Sequence, residues 1–397
     1  MTLRNLHPIL FCMTALLLNS SCSRECVDIT VTNTSGRDIG PRCVEVPAGD
    51  ILSRISTQHF YVVDGEGNEI PSQLTHDSML VFMASVPAGG CGTYSIFPSD
   101  SARTYEAVTG GNIYERRLDD LVWENDLVGF RAYGPGTRRE GLRYYGQDLY
   151  LKHSTPGLIL ESLYGVESDP ATWAKIDSLR AINSALADEF ASTLNYNIDH
   201  GNGIDCYSVG ETLGAGSAAL IMGDTIAYPW CFEQARILDN GPLRFTVEML
   251  YHHYSESDTL VPHFVEHRLV SLDAASHLNR SRVWFEGLES PANIVAGFPR
   301  HDDSPACMRP EKGIITYSDP TEGANNGKAF LGLYIPGGAD SMEEKFGHIL
   351  AVRNYAPGDT LDYYWGFAWD RSAINNHVNW LDYMEHFPVS YTVAVND

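Results

Sequence analysis

The sequence predicts a mainly β protein in which a small N-terminal β-sandwich precedes a large two-sheet antiparallel stack carrying one or two helices. Three observations support this. Apolar and polar residues alternate over short runs such as Val27-Asp28-Ile29-Thr30-Val31, turn residues break those runs at short intervals, and helical spacing is confined to two segments.

The first residues are excluded from the fold. Arg4 gives a positive start and Ile9 to Leu18 an apolar stretch, shorter than the roughly 20 residues a bilayer span needs. It reads as a signal peptide over residues 1–21. Leu18-Asn19-Ser20-Ser21-Cys22 has the form of a lipoprotein cleavage box, so Cys22 is the expected lipidation site and the cell envelope the expected location, periplasmic or on the outer membrane. Six further cysteines (Cys26, Cys43, Cys91, Cys206, Cys231 and Cys307) are able to pair in an oxidising compartment, in a connectivity the sequence leaves open.

Residues 22–103 form the first domain. Phe60 to Val63, the turn Asp64-Gly65-Glu66-Gly67-Asn68 and Glu69 to Pro71 read as a hairpin, followed by strands near Leu80 to Phe82 and Thr93 to Phe97. A polar stretch from Pro98 to Arg103 is the expected linker. Residues 104–397 form the second domain, the one expected to carry catalysis, with strands expected at Val128 to Tyr133, Gln147 to Lys152, Leu243 to His252, Phe264 to Val270, Gly313 to Tyr317, Ala329 to Ile335 and Thr360 to Ala368. Asp169 and Pro170 open a helix predicted to run to Ala191, and Ser372 to His386 is the second helix.

The formal net charge is -24, and loss of the signal removes Arg4 but no acid. Such a surface repels phosphate backbones, which excludes nucleic acid as a partner. No phosphate-binding loop, dinucleotide fingerprint, HExxH or GxSxG is present, so no cofactor is expected, while a divalent metal stays open. His263 and His267 lie four residues apart on a strand, about 13 Å, too far to share an ion.

Residue clusters are therefore the candidates. Tyr196 to Tyr207 places His200, Asp199, Asp205 and two phenols on a glycine-freed loop. Arg131 and Tyr133 share one face of a strand that follows Trp123-Glu124-Asn125-Asp126, able to clamp a carboxylate or to pair with a local acid. Arg268 faces away from His267, His301-Asp302-Asp303 follows a strand, and Trp230 is either core or a stacking platform.

These strings resemble the domain-of-unknown-function family numbered four-eight-six-one, found in exported proteins of polysaccharide-degrading bacteria. The matching residues include Trp123 to Asp126 with Arg131 and Tyr133-Gly134-Pro135; Asp199-His200-Gly201 with Gly203, Asp205 and Tyr207; Leu238 to Arg244; Ser271 to Ala274 with His277-Leu278-Asn279; and Tyr363-Tyr364-Trp365-Gly366. Asn202 stands where the family pattern leads one to expect an acid. The resemblance implies a galactose-mutarotase-like supersandwich and similarity to an oligosaccharide dehydratase acting on uronic-acid-containing glycans. On that reading the substrate is an oligosaccharide. Arg131 or Arg268 neutralises its carboxylate, His200 takes a proton, and Tyr207 or Tyr196 gives one. Tyr133, Asp199, Trp230, Glu124 and His301 are binding candidates. Two alternatives are kept: a glycoside hydrolase using paired carboxylates such as Glu124, Asp126 or Asp199, and a non-catalytic glycan-binding lipoprotein.

Overall fold

A computed structural model describes residues 26–55, 57–153, 157–255 and 258–396. The signal peptide and the Cys22 lipidation site lie outside the described residues. The protein is mainly β, with multiple antiparallel sheets and few helices.

The N-terminal sandwich packs a five-stranded sheet on a three-stranded one, with Ile29, Val31, Val44, Phe82 and Ile96 among its core residues. Alternation creates this core directly: Val27–Asn33 buries every second residue. The expected domain boundary needs one correction. The last strand, Tyr391–Val395, returns to pair antiparallel with Val27–Asn33, so the chain's end belongs to the first sandwich rather than to the second domain. The outer edge of Val27–Asn33 would otherwise present unpaired backbone groups. The six cysteines are all free thiols.

The large domain places an eight-stranded sheet, from Gln234–Asn240 to Ala306–Arg309, over two five-stranded sheets. A bridge between Gln147 and Gly214 joins those two into one layer. The shared core is aromatic, with Trp123 stacked on Phe130 and Phe245, and Trp365 edge-on to Phe130. The Trp123 Nε1–H donates to Asn279 at 2.8 Å, which satisfies the one polar atom of that buried ring.

The two domains are latched by the Leu238 to Arg244 string. Asp239 accepts from the His76 backbone N–H at 2.7 Å and bonds its ring at 2.8 Å, and Arg244 pairs with Glu45 at 2.8 Å and Asp273 at 2.6 Å. A cavity of about 830 Å³ lies along this seam, and its Arg244 and Arg280 are already paired with acids. It is a junction between domains rather than a place where reactive groups converge.

The first predicted helix is broken. Pro170–Ile182 stops at Asn183, whose side chain caps Ser184–Ser192 by accepting from Ala185 and Leu186. The two helices pack as a hairpin, and Ile182, at the end of the first, is 83% exposed. The second helix begins later than expected and spans His377–His386. It sits on Gly332, where a Cβ would come within 2.6 Å of Trp380 and Met384, so only glycine admits the helix this closely.

Candidate functional site

One sheet of the large domain has both faces covered. Trp123, Phe130, Leu149 and Leu151 point into the aromatic core, so alternation turns Glu124, Arg131, Asp148, Tyr150 and Lys152 to the outer face. There the helical segment packs Ile159, Leu160, Leu163, Tyr164 and Tyr196 over them. Charged residues on this face are therefore buried and must pair.

They do so around Arg131. Its Nε donates to Asp148 at 3.1 Å, an Nη pairs with Asp205 at 3.0 Å, and the guanidinium reaches the hydroxyls of Tyr133 at 3.1 Å and Tyr150 at 3.3 Å. The Tyr133 hydroxyl donates to Asp148 at 2.6 Å. Arg131 thus pairs with local acids, and the cation is closed in rather than open to a ligand. Burial pushes the Asp205 carboxyl up to about 7, helped by the charge of Asp148 and opposed by Arg131. Arg117 donates to the Tyr196 hydroxyl, whose own titration burial moves upward.

A second group, Tyr207, Asp319 and His301, of which only the His301 ring is partly exposed, adjoins this cluster. The side chain of Tyr207 is electrostatically coupled to both Asp148 and Asp319, and its buried hydroxyl has no hydrogen-bond partner among the described residues. Burial raises the phenol's pKa well above its ordinary range, so the group keeps its proton. Its ring lies 5.7 Å from that of His301. His301 Nδ1 bonds Asp319 at 2.7 Å, and Asp319 is itself fully buried and held by the Thr321 N–H at 2.9 Å. The imidazole is 25% exposed. Burial disfavours its charged form, but the hydrogen bond and charge of Asp319, with Glu322 and Asp302 behind it, bring the net shift upward. A carboxylate on Nδ1 fixes the tautomer that leaves Nε2 as the base. The Tyr317 hydroxyl accepts from the His301 and Asp302 backbone N–H groups at 3.1 and 3.0 Å and so fixes the loop. Arg300 sits 5.7 Å over the Tyr317 ring and pairs through Nε with Glu344 at 3.4 Å, while its buried Nη1 has no hydrogen-bond partner among the described residues.

The structure brings Arg131, Tyr133, Tyr196, Tyr207 and His301 into this connected set, and it separates the other candidates from it. His200 is exposed, with Nε2 3.2 Å from the Asn195 carbonyl, and no described contact joins it to Arg131 or Tyr207. Its neighbour Asp199 instead holds His153 at 2.9 Å and Arg371 at 2.9 Å. Arg268 is buried elsewhere, bonded to Glu266, which also holds His253 at 2.8 Å. Trp230 donates to the Leu142 carbonyl at 2.5 Å beneath Arg143. Glu124 pairs with Lys152 at 2.5 Å and accepts from the Ile159 and Leu160 N–H groups at 2.8 and 2.7 Å. Asp126 holds the Ala275 N–H at 2.8 Å. Glu124, Asp126 and Asp199 are thus each held by a different set of partners. Among the described residues no group of three or more His, Cys, Asp or Glu side chains is placed to hold a metal ion.

Asp148, Asp319 and Arg300 were not singled out from the sequence. Asp319 closes a strand and Asp148 opens one, positions where acids are commonplace, so only the fold reveals their partners.

Fold and site together define a two-domain β-sandwich protein with a buried charge cluster and, across the buried Tyr207, a histidine–carboxylate pair. Residues 31–396 match the family described as a domain of unknown function (DUF4861), and the chain belongs to that family. It is 25% identical over 279 residues to "Uncharacterized protein P7" of Formosa agariphila, covering 68% of this chain and 65% of that protein. Two solved structures from Enterococcus faecalis resemble it over 94% of its length: an alpha-mannosidase at TM-score 0.42 and 9% identity, and a protein in the glycosyl hydrolase family 38 at TM-score 0.45 and 10% identity. The chain spans 46% and 48% of those two chains.

Proposed function

We propose that this protein is a carbohydrate-active enzyme that acts on uronic-acid-containing oligosaccharides by β-elimination, as a dehydratase or lyase. The observation that carries the reading is the His301–Asp319 pair beside Tyr207, a base and a proton-bearing phenol on one loop cluster. In the step, His301 Nε2 takes the proton from C5 of the uronate. Electrons then form the C4–C5 double bond, and the C4–oxygen bond breaks. The Tyr207 hydroxyl protonates the departing oxygen, releasing water or a shortened sugar. Arg300 is the cation that offsets charge developing on the carboxylate. Arg131 stays behind the site, where it balances Asp148 and Asp205. The base is thus His301 in place of His200.

The test is incubation of the protein with uronate oligosaccharides, following ultraviolet absorbance of the conjugated product and, in parallel, new reducing ends. Rising absorbance supports elimination. New reducing ends with flat absorbance would replace it with hydrolysis. Export to the envelope and lipidation at Cys22 belong to the same proposal; labelled fatty acid should enter the wild-type protein and not Cys22→Ala.

A further inference from the structure

A second cavity, about 270 Å³, lies beneath the helical hairpin and is lined by Arg117, Glu167, Trp173, Asn195, Tyr196 and Asn197. Drug-sized ligands occupy pockets of roughly 300 Å³ and more, so this one suits a single small ring. Trp173 is 46% exposed, yet its Nε1–H donates to the Glu167 carbonyl at 2.6 Å, which fixes an open indole face in place. A prefixed ring loses little freedom on binding and stacks well on the CH face of a sugar. Glu167 Oε2 is buried and has no donor among the described residues. Arg117 is already engaged: it donates to the Tyr196 hydroxyl and covers the rings of Tyr164 at 5.6 Å and Tyr196 at 5.4 Å. An acceptor without a donor calls for a hydroxyl, and the opposite charges of Arg117 and Glu167 offset each other across the cavity, so the lining as a whole favours a neutral ring over a further charge.

We propose that this cavity is a subsite for a neutral sugar ring of the oligosaccharide, stacked on Trp173 and donating a hydroxyl to Glu167. The inference rests on the oligosaccharide reading above and adds that the substrate carries a neutral residue beside its uronate. Tyr196 forms the shared wall, since its ring lies 5.9 Å from that of Tyr150, which contacts Arg131.

Saturation-transfer NMR on the mature protein tests it, using the methyl glycosides of glucose, xylose and rhamnose and, as the anionic probe, the methyl glycoside of galacturonic acid. Transfer to at least one neutral glycoside is expected, with affinity falling about tenfold or more in Trp173→Ala. If Trp173→Ala melts early, Glu167→Ala carries the same expectation. His301→Ala should bind as wild type, so failure of the elimination chemistry leaves this result readable. Transfer to none of the neutral probes, unchanged affinity for them in the folded variant, or galacturonide binding that falls as steeply in Trp173→Ala as that of the neutral glycosides would overturn the proposal.

Discussion

A histidine–carboxylate pair alone is a weak indicator of function, since His76–Asp239, His153–Asp199 and His253–Glu266 are such pairs too. What distinguishes His301 is the neighbouring Tyr207, whose hydroxyl has no hydrogen-bond partner among the described residues. Asp319 is buried, bonded to Nδ1 and held from behind by a backbone N–H. Such a carboxylate favours the imidazolium, so the neutral base is fully available only above the ordinary histidine range, as the net upward shift indicates. Elimination should therefore have an acidic limb above pH about 6.5. In Asp319→Asn that limb should move to lower pH while the maximal rate falls, because the tautomer is no longer fixed. Glu322 and Asp302 still face the ring, so the shift should be partial. A pH–rate profile of both proteins checks this, and a limb that stays in place would remove Asp319 from the base. Sequence reading singled out His301, Tyr207 and Arg131 but gave the base to His200, whereas the mechanism proposed here gives it to His301. His200 stands beside two glycines and looked free to turn toward a ligand. The fold uses its neighbour Asp199 to hold His153 and Arg371, and it leaves the His200 ring on the surface.

At the scale of elements, period-two alternation was legible and the covering of the outer sheet face was not. Glu124 and Lys152 fall on that face by alternation, as would any solvated pair, yet both are buried because the helical segment crosses them. Lys152 also donates to the carbonyls of Asn125 at 2.6 Å and Gly157 at 3.2 Å. Lys152→Met should lower unfolding stability by about 3–5 kcal/mol, since a buried carboxylate loses its partner. The exposed pair Arg236–Glu248 gives the control: Arg236→Ala should change stability by less than about 1 kcal/mol. Denaturant titration measures both. Several strings that carry the family resemblance also prove to be scaffolding. Asn125 holds the carbonyls of Asp273 and Ser276, Asn279 satisfies Trp123, and Leu238 to Arg244 joins the domains. A recurring string therefore did not by itself mark a reacting group.

For the whole molecule, the chain's end is tied to its beginning. Tyr391–Val395 forms an edge of the N-terminal sheet, with Val393 and Val395 packed against that domain's core. Deleting residues 388–396 should cost on the order of several kcal/mol in the small sandwich and expose an edge prone to association. A lower first thermal transition and concentration-dependent light scattering would show it. The net charge of -24 adds a further constraint. An anionic sugar approaches such a surface against the field, so affinity for a uronate should rise with ionic strength up to physiological salt, whereas a neutral glycoside should show no such dependence.

In the proposed mechanism proton abstraction belongs to His301, not to the more conspicuous loop histidine. Initial rates of unsaturated product formation from one uronate oligosaccharide, measured for wild type, His301→Ala and His200→Ala under identical conditions, test it most directly. Loss of about 10²–10⁴ in rate is expected for His301→Ala, with His200→Ala near wild type and both variants melting as wild type does. A fast His301→Ala, or a dead His200→Ala that remains folded, would contradict the account.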